Sequence, residues 1–234
     1  MRLAAGQTWS GPAFLAVICV FLAAPFLLLH DIPLFDLPVH IARQHILYDP
    51  SIAVAREHYE VLWRVLPNLA LDLFVGVFHH VMPIDWAVRL FLAVTAIQLF
   101  LGAVALNRAL FGRTASFGWY AALFVFSGPF LIGLINLCFG VGLCLWTFAL
   151  SLTLRRFWVR FAVCGLLATL VLLSHLYAFA LYGLLLGSHA AGQVLARERS
   201  PTAAAAALAH LAIPIAFYFA FVPRGFNDFL PIYW

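Results

Sequence analysis

Between Ile84 and Val222 the chain is one apolar run after another, divided only by short turns and three arginine clusters. Runs of about 20 residues match the ~30 Å of hydrocarbon that an α-helix must cross. In lipid every backbone N–H and C=O has to bond within the protein, so such runs can only become helices packed side by side. A soluble fold is excluded by the charge content. Only 9% of the residues are charged and 65% are hydrophobic, with a mean hydropathy of +1.03. Soluble domains carry about 25% charged residues. The fold class is therefore all-α, a polytopic membrane helix bundle.

All thirteen basic residues are arginine, a coding bias that points to a GC-rich bacterial genome. They gather at the ends of apolar runs instead of forming a basic soluble face, so nucleic acid is not an expected partner and membrane lipid is. Three clusters set the topology: Asn107–Arg113, Arg155–Arg160 and Arg197–Arg199. The positive-inside rule places them together in the cytoplasm. That parity predicts about seven spans: Pro12–Leu29, Ile84–Leu106, Phe117–Leu134, Leu137–Leu154, Phe161–Leu173, Leu176–Leu195 and Ala203–Val222. The apolar run of the first is too long for a signal-peptide core, so it is expected to stay as a signal-anchor. The expected divisions are 1–30 (tail and first span), 31–83 (periplasmic loop), 84–222 (about six spans) and 223–234 (periplasmic tail). The expected location is the bacterial inner membrane, N-terminus cytoplasmic and C-terminus periplasmic.

"PNLALDLFVGVFHHVMP", residues 67–83, is apolar but carries Asp72, His79 and His80. A charge at mid-bilayer costs roughly 2.5–3.5 kcal/mol, and a span here would put every arginine cluster outside. It is expected instead as an interfacial helix bounded by its prolines. The loop 31–83 then holds six of the nine acidic residues and, with His30, six of the nine histidines. In "FDLPVHIAR" Asp36 is placed to cap a helix whose first turn tolerates Pro38. His40 and Arg43 follow at i+4 and i+7, on the same face. A second amphipathic helix, "SIAVAREHYEVLWRVL", is expected after Pro50, capped by Ser51. Spacing alone leaves Asp36 readable as a simple cap and His40 as an interfacial histidine.

Elsewhere the residues read as packing. Cys19, Cys138, Cys144 and Cys164 lie in apolar runs without a CxxC pair. Gly140 and Gly142 suit close helix contact, and Gly183–Gly187 matches a small-residue packing pattern. Adjacent His79 and His80 point to different helix faces, so a shared metal is not expected. His175 and His210 are expected to bond between helices.

The order of these features resembles the GT-C superfamily of integral-membrane glycosyltransferases. Those begin with one span, continue with a large outer loop carrying an acidic catalytic residue, and follow with short-looped spans. The matching pieces are "LFDLPVHIAR", the segment 67–83, and "IDWAVRLFLAVTAIQLFLGAVALNRALFGR", which looks like the superfamily's second span. "GLINLCFGVGLCLWTFALSLTLRR" is also similar to segments of bacterial membrane proteins of this kind. By this resemblance the chain looks like the superfamily's core module, without an Asp-Glu or Asp-x-Asp pair in the loop.

The resemblance implies sugar transfer from a polyprenyl-phosphate-linked donor on the periplasmic side. Such transfer needs a base for the acceptor hydroxyl and positive charge for the departing phosphate. Asp36 is the candidate base, with Asp31 in reserve and His40 to orient either group. Arg43, Arg64 and Arg89 are the candidate phosphate partners. No cofactor is expected, with a divalent metal as the open alternative. No phosphate-cradling glycine loop is present, which disfavours a soluble nucleotide-sugar donor. The rival expectation is a non-catalytic accessory or scaffold subunit packed against other membrane subunits.

Overall fold

The computed structural model describes residues 12–52, 57–61, 63–112 and 119–223, and the long apolar runs among them are helical. In chain order the helices are α1 (Pro12–Leu28), α2 (Leu37–Tyr48), α3 (Ala70–Phe78), α4 (Ile84–Phe111), α5 (Ala121–Phe124), α6 (Gly128–Ile132), α7 (Ile135–Thr153), α8 (Phe157–Ser174), α9 (Leu176–Leu195), α10 (Pro201–Leu208) and α11 (Ala212–Phe221). A 3₁₀ turn, Ala209–Leu211, joins the last two. No strand occurs among the described residues. Arg113, the tail 1–11 and the C-terminal stretch from Arg224 lie outside them.

Among the described residues five segments are long and apolar enough to cross a membrane: α4, α7, α8, α9 and the run Pro201–Phe221. The expected seven included two that are shorter as helices, α1 and the segment around Ala121–Ile132. The continuous span expected over Phe117–Leu134 is instead broken at Ser127-Gly128-Pro129. Ser127 is extended (ψ 170°), and Pro129 stands in the first turn of α6. Proline has no N–H to continue the preceding helix and clashes with its carbonyl, so the helix restarts there. Gly133 ends α6 in the left-handed region (φ 99°), a conformation that glycine adopts without steric cost.

Broken or not, this segment runs the length of α1. Trp119 packs edge-on against Phe14 near the start of α1, at 5.2 Å between centroids. Phe126 and Phe130 meet Phe26 near its end, at 6.0 and 5.6 Å. The return leaves α4 and α7 parallel. Phe91 stacks on Phe139 at 4.8 Å, and Gln98 Nε2 donates to the Phe139 carbonyl at 2.8 Å. Further along, Gly102 faces the Gly142 carbonyl so closely that an added Cβ would stand 3.0 Å from it. The close packing expected of Gly140 and Gly142 is present: a Cβ at Gly140 would meet Ala178 Cβ at 2.7 Å. Gly183 and Gly187 face nothing within 4 Å, so the pattern there marks no helix contact among the described residues.

The bundle has two unlike ends. One gathers α2, α3, the C-terminus of α1, the N-termini of α4 and α7, and the α8–α9 turn. This is the loop end. The other gathers Arg108, Arg155, Arg156, Arg160, Arg197 and Arg199. Residues from α4, α7, α8 and α9 meet there around one cavity with Arg199. Between the ends, the buried aromatic rings of Phe26, Phe91, Phe100 and Phe130 fill the space among α1, α4 and α6. Tyr182 on α9 shares a 2.7 Å hydrogen bond with His210, the inter-helix role expected of that histidine.

Candidate functional site at the loop end

Helix α3 has nine residues, about 13 Å of length, far short of a bilayer. One face of it packs on the bundle: Ala70, Leu71, Asp72 and Val75 are buried. Asp72 is only 2% exposed, and a buried carboxylate must be paired or neutral. Its pairing is complete. Arg43 Nε donates to Oδ1 at 3.1 Å and Arg43 Nη2 to Oδ2 at 2.7 Å. Gln44 Nε2 donates to Oδ1 at 2.7 Å, and Tyr48 Oη donates to the Asp72 carbonyl at 2.7 Å. Two successive turns of α2 thus hold one residue of α3. The hydrogen bond to Asp72 keeps the Arg43 guanidinium more firmly protonated than usual. Burial, with the Asp72 charge second, pushes the Tyr48 hydroxyl up to about 12.

A second set of bonds pins α3 to the spanning helices. Asn136, in the first turn of α7, accepts from Leu71 N at 2.8 Å through Oδ1. Its Nδ2 donates to the Asn68 carbonyl at 3.0 Å and to Asn68 Oδ1 at 2.9 Å. Asn68 stands at φ 126°, and both Asn68 N and Leu69 N donate to the Leu173 carbonyl at the end of α8. His45 lies between two carboxylates, Asp49 at 3.5 Å and Asp85 at 3.2 Å, and so ties α2 to α4.

Of the expected site residues, Asp36 and His40 come together. Phe35 N and Asp36 N donate to the Leu131 and Ile132 carbonyls at the end of α6. His40 Nε2 lies 3.0 Å from the Gly133 carbonyl. A carbonyl only accepts, so Nε2 carries the proton and a neutral ring leaves Nδ1 free to accept. A Cβ at Gly133 would stand 2.9 Å from Asp36 Cβ, so both side chains start beside one glycine. Asp36 occupies the cap position of α2 but its carboxylate makes no capping hydrogen bond. Its ψ of 0° lies outside the extended region that side-chain capping uses. The expectation of a carboxylate cap is therefore corrected. Among the described residues the Asp36 carboxylate has no hydrogen-bond partner, and the residue is half-buried.

The other expected residues separate. Arg43 turns to Asp72. Arg89 Nη1 donates to the Phe26 and Leu29 carbonyls at 3.1 and 2.6 Å, and Nη2 to that of His30 at 2.5 Å. It satisfies the orphan carbonyls at the end of α1, a capping role that apolar sequence around it did not signal. Asp31 is 96% exposed beside His30. Arg64 is half-buried with no side-chain partner among the described residues.

The helix expected over 51–66 does not form at 59–61 and 63–66; residues 53–56 and Leu62 lie outside the described residues. Asp49 Oδ1 accepts from both Ser51 N (2.9 Å) and Ser51 Oγ (2.6 Å). The serine thus closes a local turn on Asp49, and residues 53 and 54, whose N–H groups it was expected to cap, lie outside the described residues. The same two bonds hold the Asp49 carboxyl below its usual range. His175 ends α8 and caps α9, its Nδ1 accepting from Tyr177 N at 3.2 Å. Burial lowers its pKa.

Among the described residues no group of three or more His, Cys, Asp or Glu is arranged to hold a metal ion. No protein-family model matches the chain, and no curated protein or solved structure matches it either.

Proposed function

We propose that the protein is a GT-C-like membrane glycosyltransferase, or the core module of one. It takes sugar from a polyprenyl-phosphate donor, and the loop end faces the periplasm of a bacterial inner membrane. One observation carries this reading: Asp36 is a half-buried carboxylate left without a partner among the described residues, in a loop end whose other buried acid, Asp72, is fully bonded. An apolar groove of about 400 Å³ lies between α4, α7 and the broken segment. Leu99, Phe124 and Val141 line it, and Ser127 and Pro129 close one side. Pro129 is one turn of α6 from Ile132, whose carbonyl holds Asp36 N. A groove of this chemistry suits an isoprenoid tail with its phosphate near Asp36.

In the proposed reaction Asp36 accepts the proton of the acceptor hydroxyl as the new sugar C–O bond forms. The bond from the sugar carbon to the lipid phosphate oxygen breaks, and the phosphate leaves with the electron pair. Arg64 is the arginine of the three candidates that no described residue occupies, so it is the phosphate partner. Arg43 is bound to Asp72 and Arg89 to the end of α1, which makes both positioning residues. His40 orients Asp36 from the shared glycine.

The test is transfer of radiolabelled sugar from polyprenyl-phosphate donors by purified protein. Asp36→Asn should lower the rate by about 10²–10⁴, the range of general-base catalysis. Transfer by Asp36→Asn at the wild-type rate would end the assignment of Asp36. A wild type that transfers nothing, yet copurifies in fixed ratio with other membrane subunits, would replace the enzyme by a scaffold.

A further inference from the structure

The arginine end contains a cavity of about 250 Å³ bounded by α4, α7, α8, α9 and α10. Its polar lining is Arg160, Arg199, His189, Gln193 and Ser151, and no acid lines it. The two guanidinium groups make no ion pair or side-chain hydrogen bond among the described residues. The backbone brings one of them in. Arg197 adopts the left-handed conformation (φ 57°) just after α9, a strained choice for a residue with a Cβ. The turn it makes lets Glu198 N and Arg199 N both donate to the Gln193 carbonyl. Arg199 is thereby folded back over the cavity.

Gln193 supplies a second, independent sign. Its Oε1 is buried and bonds to nothing among the described residues. A half-turn of the amide presents Nε2 there instead, a donor in need of an acceptor. Like charges converging in a partly enclosed site repel unless an anion lies between them. Forked guanidinium donors match the tetrahedral oxygens of phosphate. The leucines that complete the lining, Leu110, Leu152, Leu186 and Leu208 among them, fit the glycerol and first methylenes of a lipid. Basic pockets between spanning helices bind anionic headgroups by this chemistry.

We propose that this cavity is a phosphate-binding site, with Arg160 and Arg199 gripping the phosphate and Gln193 donating to it. The phosphate can come from an anionic lipid headgroup or from solution, and the experiment separates the two. Full-length protein purified in detergent is titrated with phosphatidylglycerol, read by native mass spectrometry. In parallel it is titrated with inorganic phosphate, read by thermal shift. The Arg160→Gln/Arg199→Gln variant should bind at least about tenfold more weakly, since it removes two charge-assisted contacts. An Arg155→Gln/Arg156→Gln variant removes equal charge outside the cavity and should bind as wild type does. Loss confined to the phosphatidylglycerol arm identifies a lipid site. Loss confined to the inorganic arm identifies a site for free phosphate. Binding in neither arm overturns the proposal, as does equal loss in both variants. If the cavity variant is not monodisperse, Arg199→Gln alone, at an exposed position, gives the same reading.

Discussion

The two ends of the bundle use the same residue types in opposite ways. At the loop end most of the cations have partners: Arg43 holds Asp72, Arg89 holds three carbonyls, and His45 sits between Asp49 and Asp85, with Arg64 the exception among the described arginines. At the arginine end Arg155, Arg156, Arg160, Arg197 and Arg199 make no ion pair among the described residues. The difference follows from where the acids are. Six of the nine lie in residues 31–83, while Glu198 is the one acid among the described residues at the arginine end. The loop end is held together by its charges. The arginine end is held by apolar packing, and its guanidinium groups form no ion pair among the described residues.

The comparison can be broken most sharply at Asp72. Asp72→Ala strands Gln44 Nε2 in a buried site and frees Arg43, and should cost about 3 kcal/mol. Arg155→Ala at the other end should change stability by less than about 0.5 kcal/mol. Thermal unfolding in detergent measures both, and equal losses would erase the distinction between the ends. A smaller effect is expected at Asn136. Asn136→Ala leaves the Leu71 N–H buried without its acceptor, for about 1–2 kcal/mol. It should also raise hydrogen exchange at Leu71 before it does so in α8.

The smallest expected effect is a pH dependence at the α8–α9 turn. His175 caps α9 through a ring nitrogen that must be unprotonated to accept. Burial holds its pKa below the ordinary 6.5, so the unfolded chain takes up the proton first as pH falls. The contribution is present in full above about 6.5 and is lost as pH drops through the lowered folded value. The protection factor of the Tyr177 amide should fall over that acid range and stay flat from pH 7 to 8. His175→Asn, which caps without titrating near neutrality, should abolish the acid-side loss of protection.

The spanning framework was legible because it depends on composition and length. α4, α7, α8 and α9 could be read from apolar runs and the arginines between them. The break in the run over 117–134 had a signal, the Gly128-Pro129 dipeptide, which outweighed hydrophobicity there. Tertiary pairings were not legible. Arg43 and Asp72 stand 29 positions apart, and nothing local joins them. A lone acid in an apolar helix could have suggested a buried partner, though not which arginine. Asp36 was legible as a singular acid but not in its geometry. Its backbone N–H is held by the Ile132 carbonyl, almost a hundred residues away in sequence, and its ψ of 0° departs from the capping conformation. Arg89 looked free because its acceptors are backbone carbonyls, which every sequence contains.

The two ends should lie on opposite sides of the membrane, with the loop end outside. Single cysteines at His80 and Arg197, in a background with Cys19→Ser, report this directly. The other three native cysteines are buried. A membrane-impermeant maleimide applied to intact spheroplasts should label His80→Cys and spare Arg197→Cys, and inside-out vesicles should give the reverse. Labelling of both from the same side would contradict this arrangement. Labelling of Arg197→Cys alone in spheroplasts would invert the orientation and, with it, remove the proposed site from the periplasm.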